Sequence, residues 1–241
     1  MTQIKRPFEP SKIKGIVFDK DGTLLDFHGT WVPRARAAVI ELADGDQSLA
    51  LTLLQRAGFD NDDNRVLGGS VLAAGNNRDI SLLWAPLVNK PVDQVEALLN
   101  KMFSASTHGD SIAVKDLTSS LNKLVHLGLT LGVATMDSEA GIKATLSNFG
   151  CLHLFDYAVG YDSGFGSKPE PGMVLGFCQH TGLRPEQVMV VGDNTHDLHM
   201  GQSAAAGFNV GVLTGTSTRS ELISDADLVL DSIADLAALW V

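Results

Sequence analysis

The sequence predicts an α/β protein: a doubly wound, Rossmann-like parallel sheet with an inserted helical domain. Three observations predict it. Short apolar runs recur along the chain and are apolar on both faces rather than alternating, as strands of a parallel sheet covered by helices should be. From about residue 112 onward these runs alternate with segments of helical periodicity. Between the first run and that alternation, helical spacing continues with few strand signals.

In chain order, the first run is Ile13–Phe18, which ends abruptly in the polar, glycine-containing Asp19-Lys20-Asp21-Gly22-Thr23. Helical spacing then groups Val39 with Leu42, Leu49 with Leu53 and Leu54, Ile80 with Leu83 and Trp84, and Val92 with Val95, Leu98, Leu99 and Met102. These groups place a helical insertion at 27–112, within an α/β core made of 1–26 and 113–241. In the core, Leu117, Leu121, Leu124 and Val125 read as a helix stopped at Gly128. Strands are expected at Leu129–Ala134, Tyr157–Tyr161, Val188–Val191 and Phe208–Leu213, with a shorter one at Leu228–Leu230. Helices Ala140–Phe149, Met173–His180 and His196–Ala206 connect them. Ligands of open parallel sheets sit beyond the carboxyl ends of the strands. An insertion leaving from the end of the first strand is therefore expected to cover that site and to contribute to substrate choice.

Composition narrows the function classes. The chain has 241 residues, 44% hydrophobic, and a formal net charge of −10 from 28 acidic against 18 basic side chains. That balance argues against nucleic acid or an anionic membrane as a partner. Cys151 and Cys178 form no framework and read as reduced thiols. No segment approaches the ~18 uninterrupted apolar residues of a membrane span. The N-terminal MTQIKRPFEPSKIKG has charges with no apolar run behind them before Ile16, so the expectation is a soluble cytoplasmic protein without a signal peptide.

The polar residues after the strands converge on one edge of such a sheet. They are Asp19 and Asp21, Thr135, Lys168 in Gly166-Ser167-Lys168-Pro169, and Asp193 with Asp197. Crowded carboxylates repel and need a cation; hard oxygen ligands of this kind suit Mg²⁺, which favours one or two carboxylates plus a substrate phosphate. The lysine and hydroxyl would face the remaining phosphate oxygens, and an aspartate in such a site can attack phosphorus. Taken singly, Asp19-Lys20-Asp21 reads as a turn, Asp193 as a helix cap and Asp197 as a first-turn charge; taken together, the site reading prevails. Lys20, the alternate residue of an extended segment, is expected to point away. His196 and His199 lack a third metal ligand and read as a solvated face. In the insertion, His28, Thr30, Trp31, Arg34 and Arg78 are candidates for touching substrate. His28 is the best placed, Arg78 competes with an ordinary surface ion pair, and Trp31 and Trp84 read as packing.

Phe18-Asp19-Lys20-Asp21-Gly22-Thr23-Leu24, Thr135, Lys168-Pro169 and Gly192-Asp193 with Asp197 resemble, in order and spacing, the four motifs of the haloacid dehalogenase superfamily. The helical insertion resembles the phosphoglycolate phosphatase-like branch with its helical cap. The resemblance implies a Mg²⁺-dependent phosphatase acting on a small phosphorylated metabolite, phosphoglycolate-like or a sugar phosphate. It further implies that Asp19 attacks phosphorus, and that Asp21 protonates the leaving oxygen and then activates water. Asp19, Asp193 and the Asp21 carbonyl would bind Mg²⁺, Thr135 and Lys168 would hold the phosphoryl group, and Asp197 would orient Lys168 or a metal-bound water. The acid at Asp21 favours phosphate esters over halides. One departure stands out: Met136-Asp137 follow Thr135 where the family often has asparagine, leaving Met136 to offer its backbone N–H. A phosphoglucomutase-type phosphoryl transferase shares all four motifs, and a non-catalytic binding protein on the same fold is the alternative from a different class.

Overall fold

The computed structural model describes residues 7–103 and 110–240. The expectations made for 1–6, for 104–109 within the insertion, and for 241 lie outside the described residues. After β1 (Gly15–Phe18) come α1 (Phe27–Leu42), α2 (Gln47–Arg56), β2 (Phe59–Asp60), β3 (Arg65–Val66), α3 (Val71–Ala74), α4 (Asn77–Val88) and α5 (Val92–Met102). Helix and strand then alternate through α6 (Leu117–His126), β4 (Thr130–Ala134), α7 (Glu139–Asn148), β5 (Tyr157–Val159), α8 (Gly172–Thr181), β6 (Val188–Gly192), α9 (Thr195–Ser203), β7 (Phe208–Val212), α10 (Arg219–Leu222) and β8 (Leu228–Leu230).

Among the described residues the main sheet has six strands, all parallel, in the order β5-β4-β1-β6-β7-β8. Every apolar run read as a strand is one, with ends shifted by no more than two residues. The reason is visible in the burial: Ile16, Val17, Phe18, Leu131, Val133, Val190 and Val191 are fully buried, because helices cover both faces. One feature of the insertion differs from expectation. Phe59–Asp60 and Arg65–Val66 pair as a small antiparallel hairpin. Its strands are too short to show alternation, and its turn is held by Asp60, whose carboxylate accepts the N–H groups of Asp62 and Asp63.

Buried apolar residues between 27 and 103 form one cluster around Trp84, Leu53 and Leu99, while the sheet contributes to others built from residues outside that range. Trp84 is packing, as expected, with its indole N–H donating to the Leu53 carbonyl at 2.8 Å. The two crossings between these parts run side by side. Asp26 N–H donates to the Ile112 carbonyl at 2.9 Å, Val114 N–H to the Leu24 carbonyl at 3.0 Å, and Ile112 N–H to Thr30 Oγ1 at 2.9 Å. Among the described residues no helix is long and apolar enough to cross a membrane. Cys151 and Cys178 are buried free thiols.

Candidate active site

The sheet register brings the polar strand ends together. Phe18 lies opposite both Val133 and Val191, so Asp19, Thr135 and Asp193 leave the sheet at one edge. Asp19 N–H still donates to the Val191 carbonyl at 2.8 Å. The chain then turns sharply, with the N–H groups of Leu24 and Leu25 both reaching the Lys20 carbonyl. Gly22 is required in this turn: its φ is +100°, and a Cβ there would fall 2.6 Å from Asp193 Oδ1. On β6, Gly192 leads into a reciprocal capping arrangement. Asn194 Oδ1 accepts the His196 N–H, and Asp197 Oδ2 accepts the Asn194 N–H at 3.0 Å.

Lys168 joins the two sides. Its Nζ is 2.5 Å from Asp19 Oδ1 and 2.6 Å from Asp197 Oδ1, and all three side chains are buried. Burial alone pulls the Lys168 ammonium down, but Asp19 and Asp197 outweigh it and hold its pKa above the ordinary lysine value. Asp19 is pushed up to about 7, first by burial and then by Asp197 and Asp21, against the opposing pull of Lys168. Burial, with Asp19 and Asp197 adding to it, also raises Asp193 well above the usual carboxylate range.

These shifts describe a site short of positive charge. Asp19, Asp193 and Asp197 gather within 4.8 Å of one another, with Lys168 as their cation. One ammonium against three buried carboxylates leaves two negative charges, the charge that one divalent ion neutralises. The donor chemistry selects among the three. Both oxygens of Asp197 are taken, by Lys168 and by the Asn194 N–H, so Asp197 holds the lysine rather than an ion. Asp19 Oδ2 is buried without a hydrogen-bond partner. Asp193 spends Oδ2 on the N–H and hydroxyl of Thr216, at 2.8 and 3.2 Å, leaving Oδ1 without a donor among the described residues. Asp19 and Asp193 therefore fit a hard divalent cation.

A second ion-pair group adjoins the first, and it corrects one expectation. Lys20 does not turn away from the site. It is fully buried, 2.9 Å from Asp21 Oδ2 and 3.0 Å from Asp137 Oδ2, with its ammonium 5.9 Å from the centre of the Trp31 ring. The alternation argument fails because the strand has already ended at Phe18 and Lys20 belongs to the turn. Burial opposes the charge on Lys20, and Asp21 and Asp137 overcome it to raise its pKa. Trp31 is likewise more than packing: its indole N–H donates to Asp21 Oδ1 at 2.7 Å and its ring lines the cavity.

The other candidates divide clearly. Thr135, Met136 and Lys168 line the same cavity as Asp19, Asp21 and Asp193, and Thr135 Oγ1 accepts the Asp137 N–H at 3.1 Å. His28 does not line it. Its Nε2 accepts the Val66 N–H at 3.1 Å, which turns the ring into the hairpin. Arg78 does not line it either; it is exposed and paired with Asp93 at 2.7 Å and Glu96 at 2.6 Å, the surface ion pair weighed against it. Thr30 is buried at the crossing, and Arg34 donates to Ser111 Oγ at 3.1 Å while stacking on Trp31. His196 reaches Asn194 Oδ1 and lines the cavity, whereas His199 pairs with Asp225 at 3.3 Å, so the two do not share a ligand. Sequence reasoning missed the loop after β7. Thr214 donates to the Gly22 carbonyl at 2.7 Å, and Thr216 secures Asp193. The same strand-end argument, applied to Thr214-Gly215-Thr216, points to it.

Comparison with known proteins agrees with this geometry. The model of the haloacid dehalogenase-like hydrolase family matches residues 13–205. The phosphoglycolate phosphatase of Aliivibrio fischeri is 29% identical over 229 residues, covering 94% of this chain and 96% of its own. That of Psychrobacter arcticus is 26% identical over 227 residues, covering 90% and 94%. The crystal structure of a predicted phosphoglycolate phosphatase from Haemophilus somnus superposes with a TM-score of 0.71 at 22% identity, covering 95% of this chain and 99% of that one. With the motif residues gathered at one sheet edge and the family match running through most of the chain, this protein belongs to the haloacid dehalogenase-like hydrolases.

Proposed function

We propose that the chain is a Mg²⁺-dependent phosphoric monoester hydrolase that acts on a small phosphorylated metabolite through a phospho-Asp19 intermediate, in the cytoplasm. The observation that carries this reading is the asymmetry of Asp19. Lys168 fixes Oδ1 at 2.5 Å, while Oδ2 is buried and unpartnered. One oxygen is anchored, and the other keeps both lone-pair directions, one for the divalent ion and one for in-line attack on phosphorus, which forms the acyl phosphate and breaks the ester P–O bond. Asp21, which enters this step protonated, gives its proton to the departing oxygen. Its carboxylate then accepts a proton from the water that attacks phosphorus, releasing inorganic phosphate and free Asp19. Trp31 and Lys20 hold the Asp21 carboxylate in place for both transfers. The Thr135 hydroxyl hydrogen is available to the phosphoryl group because its oxygen is what the Asp137 N–H uses. Mg²⁺, held by Asp19, Asp193 and the Asp21 carbonyl, would supply charge neutralisation at the transferring phosphoryl oxygens. We further propose 27–112 as the cap domain and 1–26 with 113–241 as the core.

The test is phosphate release from a panel of phosphomonoesters, headed by phosphoglycolate and sugar phosphates, with Mg²⁺ and with chelator. Turnover lost on chelation and lost by about 10³-fold or more in Asp19→Asn, with the circular dichroism spectrum kept, is the expected result. Undiminished turnover in Asp19→Asn overturns the assignment of the nucleophile.

A further inference from the structure

We propose that the cavity under the inserted helices takes a phosphomonoester whose leaving group is uncharged and largely apolar, and discriminates against one with a second anionic group. The inference rests on the phosphatase reading above and names the substrate class for that same site. The cavity runs without interruption from Asp19 and Lys168 to walls made by Phe27, Ala35, Val66, Leu72, Ile80 and Phe103. All of these walls except Leu72 are buried in the fold.

The polar groups on this side are uncharged, and most are already committed. The Trp31 N–H is spent on Asp21, Asn76 Oδ1 caps α4 through the N–H groups of Arg78 and Asp79, and Asn77 Nδ2 donates to Asn100. Among the described residues, no arginine or lysine of the insertion lines the cavity. Arg34 is stacked on Trp31 and bonded to Ser111, Arg65 pairs with Asp63, and Arg78 is held outside by Asp93 and Glu96. On the sheet side, Asp19, Asp21, Asp137, Asp193 and Asp197 line the cavity against Lys168, with Tyr161 and with His196, whose Nδ1 lies 3.1 Å from Asn194 Oδ1, beside them.

A carboxylate or second phosphate on the leaving group would enter apolar walls with no countercharge, in the field of those aspartates. Losing its hydration without a partner opposes binding. An alkyl or aryl group in the same place trades water for apolar contact and favours binding. The phosphate end is served by Lys168, Thr135 and the divalent-ion site, and the other end by hydrophobic contact.

The experiment is a steady-state series with the full chain and Mg²⁺: ethyl, propyl, butyl and phenyl phosphate, phosphoglycolate, and p-nitrophenyl phosphate. The expected kcat/KM rises about fourfold per added methylene from ethyl to butyl. Phosphoglycolate is expected to fall about tenfold or more below propyl phosphate, which is similar in size but neutral at its far end. A flat alkyl series, or phosphoglycolate preferred over propyl phosphate, overturns the inference while leaving the phosphatase reading standing. No Mg²⁺-dependent turnover of any compound, p-nitrophenyl phosphate included, overturns both. Leu72→Arg, which places a cation in the partly exposed wall, should narrow the gap between propyl phosphate and phosphoglycolate by about tenfold. If that variant fails to fold, the wild-type series alone decides.

Discussion

Lys168 and Lys20 are both buried, and each is shared between two aspartates, yet they organise the site in opposite ways. Lys168 touches one oxygen of Asp19 and leaves the other without a partner. Lys20 works with Trp31 so that both oxygens of Asp21 are engaged. On the proposed mechanism, the same ion-pair chemistry frees an oxygen of the nucleophile and restrains the carboxylate that carries the proton. Lys168 ties together parts of the core, while Lys20 ties the β1 turn to Asp137 beneath a tryptophan of the inserted helices.

The strongest way to break this contrast is Lys168→Met. It strips the countercharge from Asp19 and Asp197, and should lower kcat by about 10³-fold and stability by about 3–5 kcal/mol. Lys20→Met removes an equally buried ammonium and should cost a similar ~3–5 kcal/mol, but only about tenfold in kcat. Urea unfolding and steady-state kinetics on the two variants side by side decide it. A well-folded Lys20→Met as inactive as Lys168→Met would erase the distinction. Adding Asp137→Asn to Lys20→Met sharpens it, because removing one of the two carboxylate charges that Lys20 neutralises should recover part of the lost stability.

A smaller effect concerns His28. Burial lowers its pKa below the ordinary histidine value of 6.5, so the unfolded chain binds the proton more readily than the folded one. The stability this contributes is present above pH 6.5 and is lost as pH falls below it. Thermal melts between pH 7.5 and 5 should therefore show a steeper acid-side decline for the wild type than for His28→Gln, whose slope should flatten. The smallest effect expected is Arg78→Ala. Its partners lie outside the cavity, so kcat/KM should stay within about twofold of wild type. A tenfold change would return Arg78 to the binding site.

The same contrast explains what could be read from the chain alone. The strands were legible because a buried parallel strand is an unbroken apolar run; Asp19, Thr135 and Asp193 were legible because each follows such a run, and Lys168 because it stands in a glycine- and proline-containing turn just before a helix. Lys20 was not, since periodicity describes an extended segment and the turn begins one residue after Phe18. Trp31 packs against the helical cluster, as its apolar ring suggests, and only its N–H reveals the second role on Asp21. His28 and Arg78 depend on partners distant in sequence, Val66 in one case and Asp93 and Glu96 in the other. No local pattern encodes those contacts.

The paired crossings at 24–26 and 112–114 have a consequence for how such a chain can change. Because the departing and returning segments are hydrogen-bonded to each other, the gap that the intervening residues must bridge is only the spacing of neighbouring backbones. Closing a loop costs little more as the loop lengthens. Whatever fills the interval can therefore be lengthened, shortened or exchanged with little entropic penalty to the sheet. The inserted helices are attached like a cassette, and the bond from the Trp31 indole N–H to Asp21 is the thread by which an exchange would still reach the sheet edge beneath.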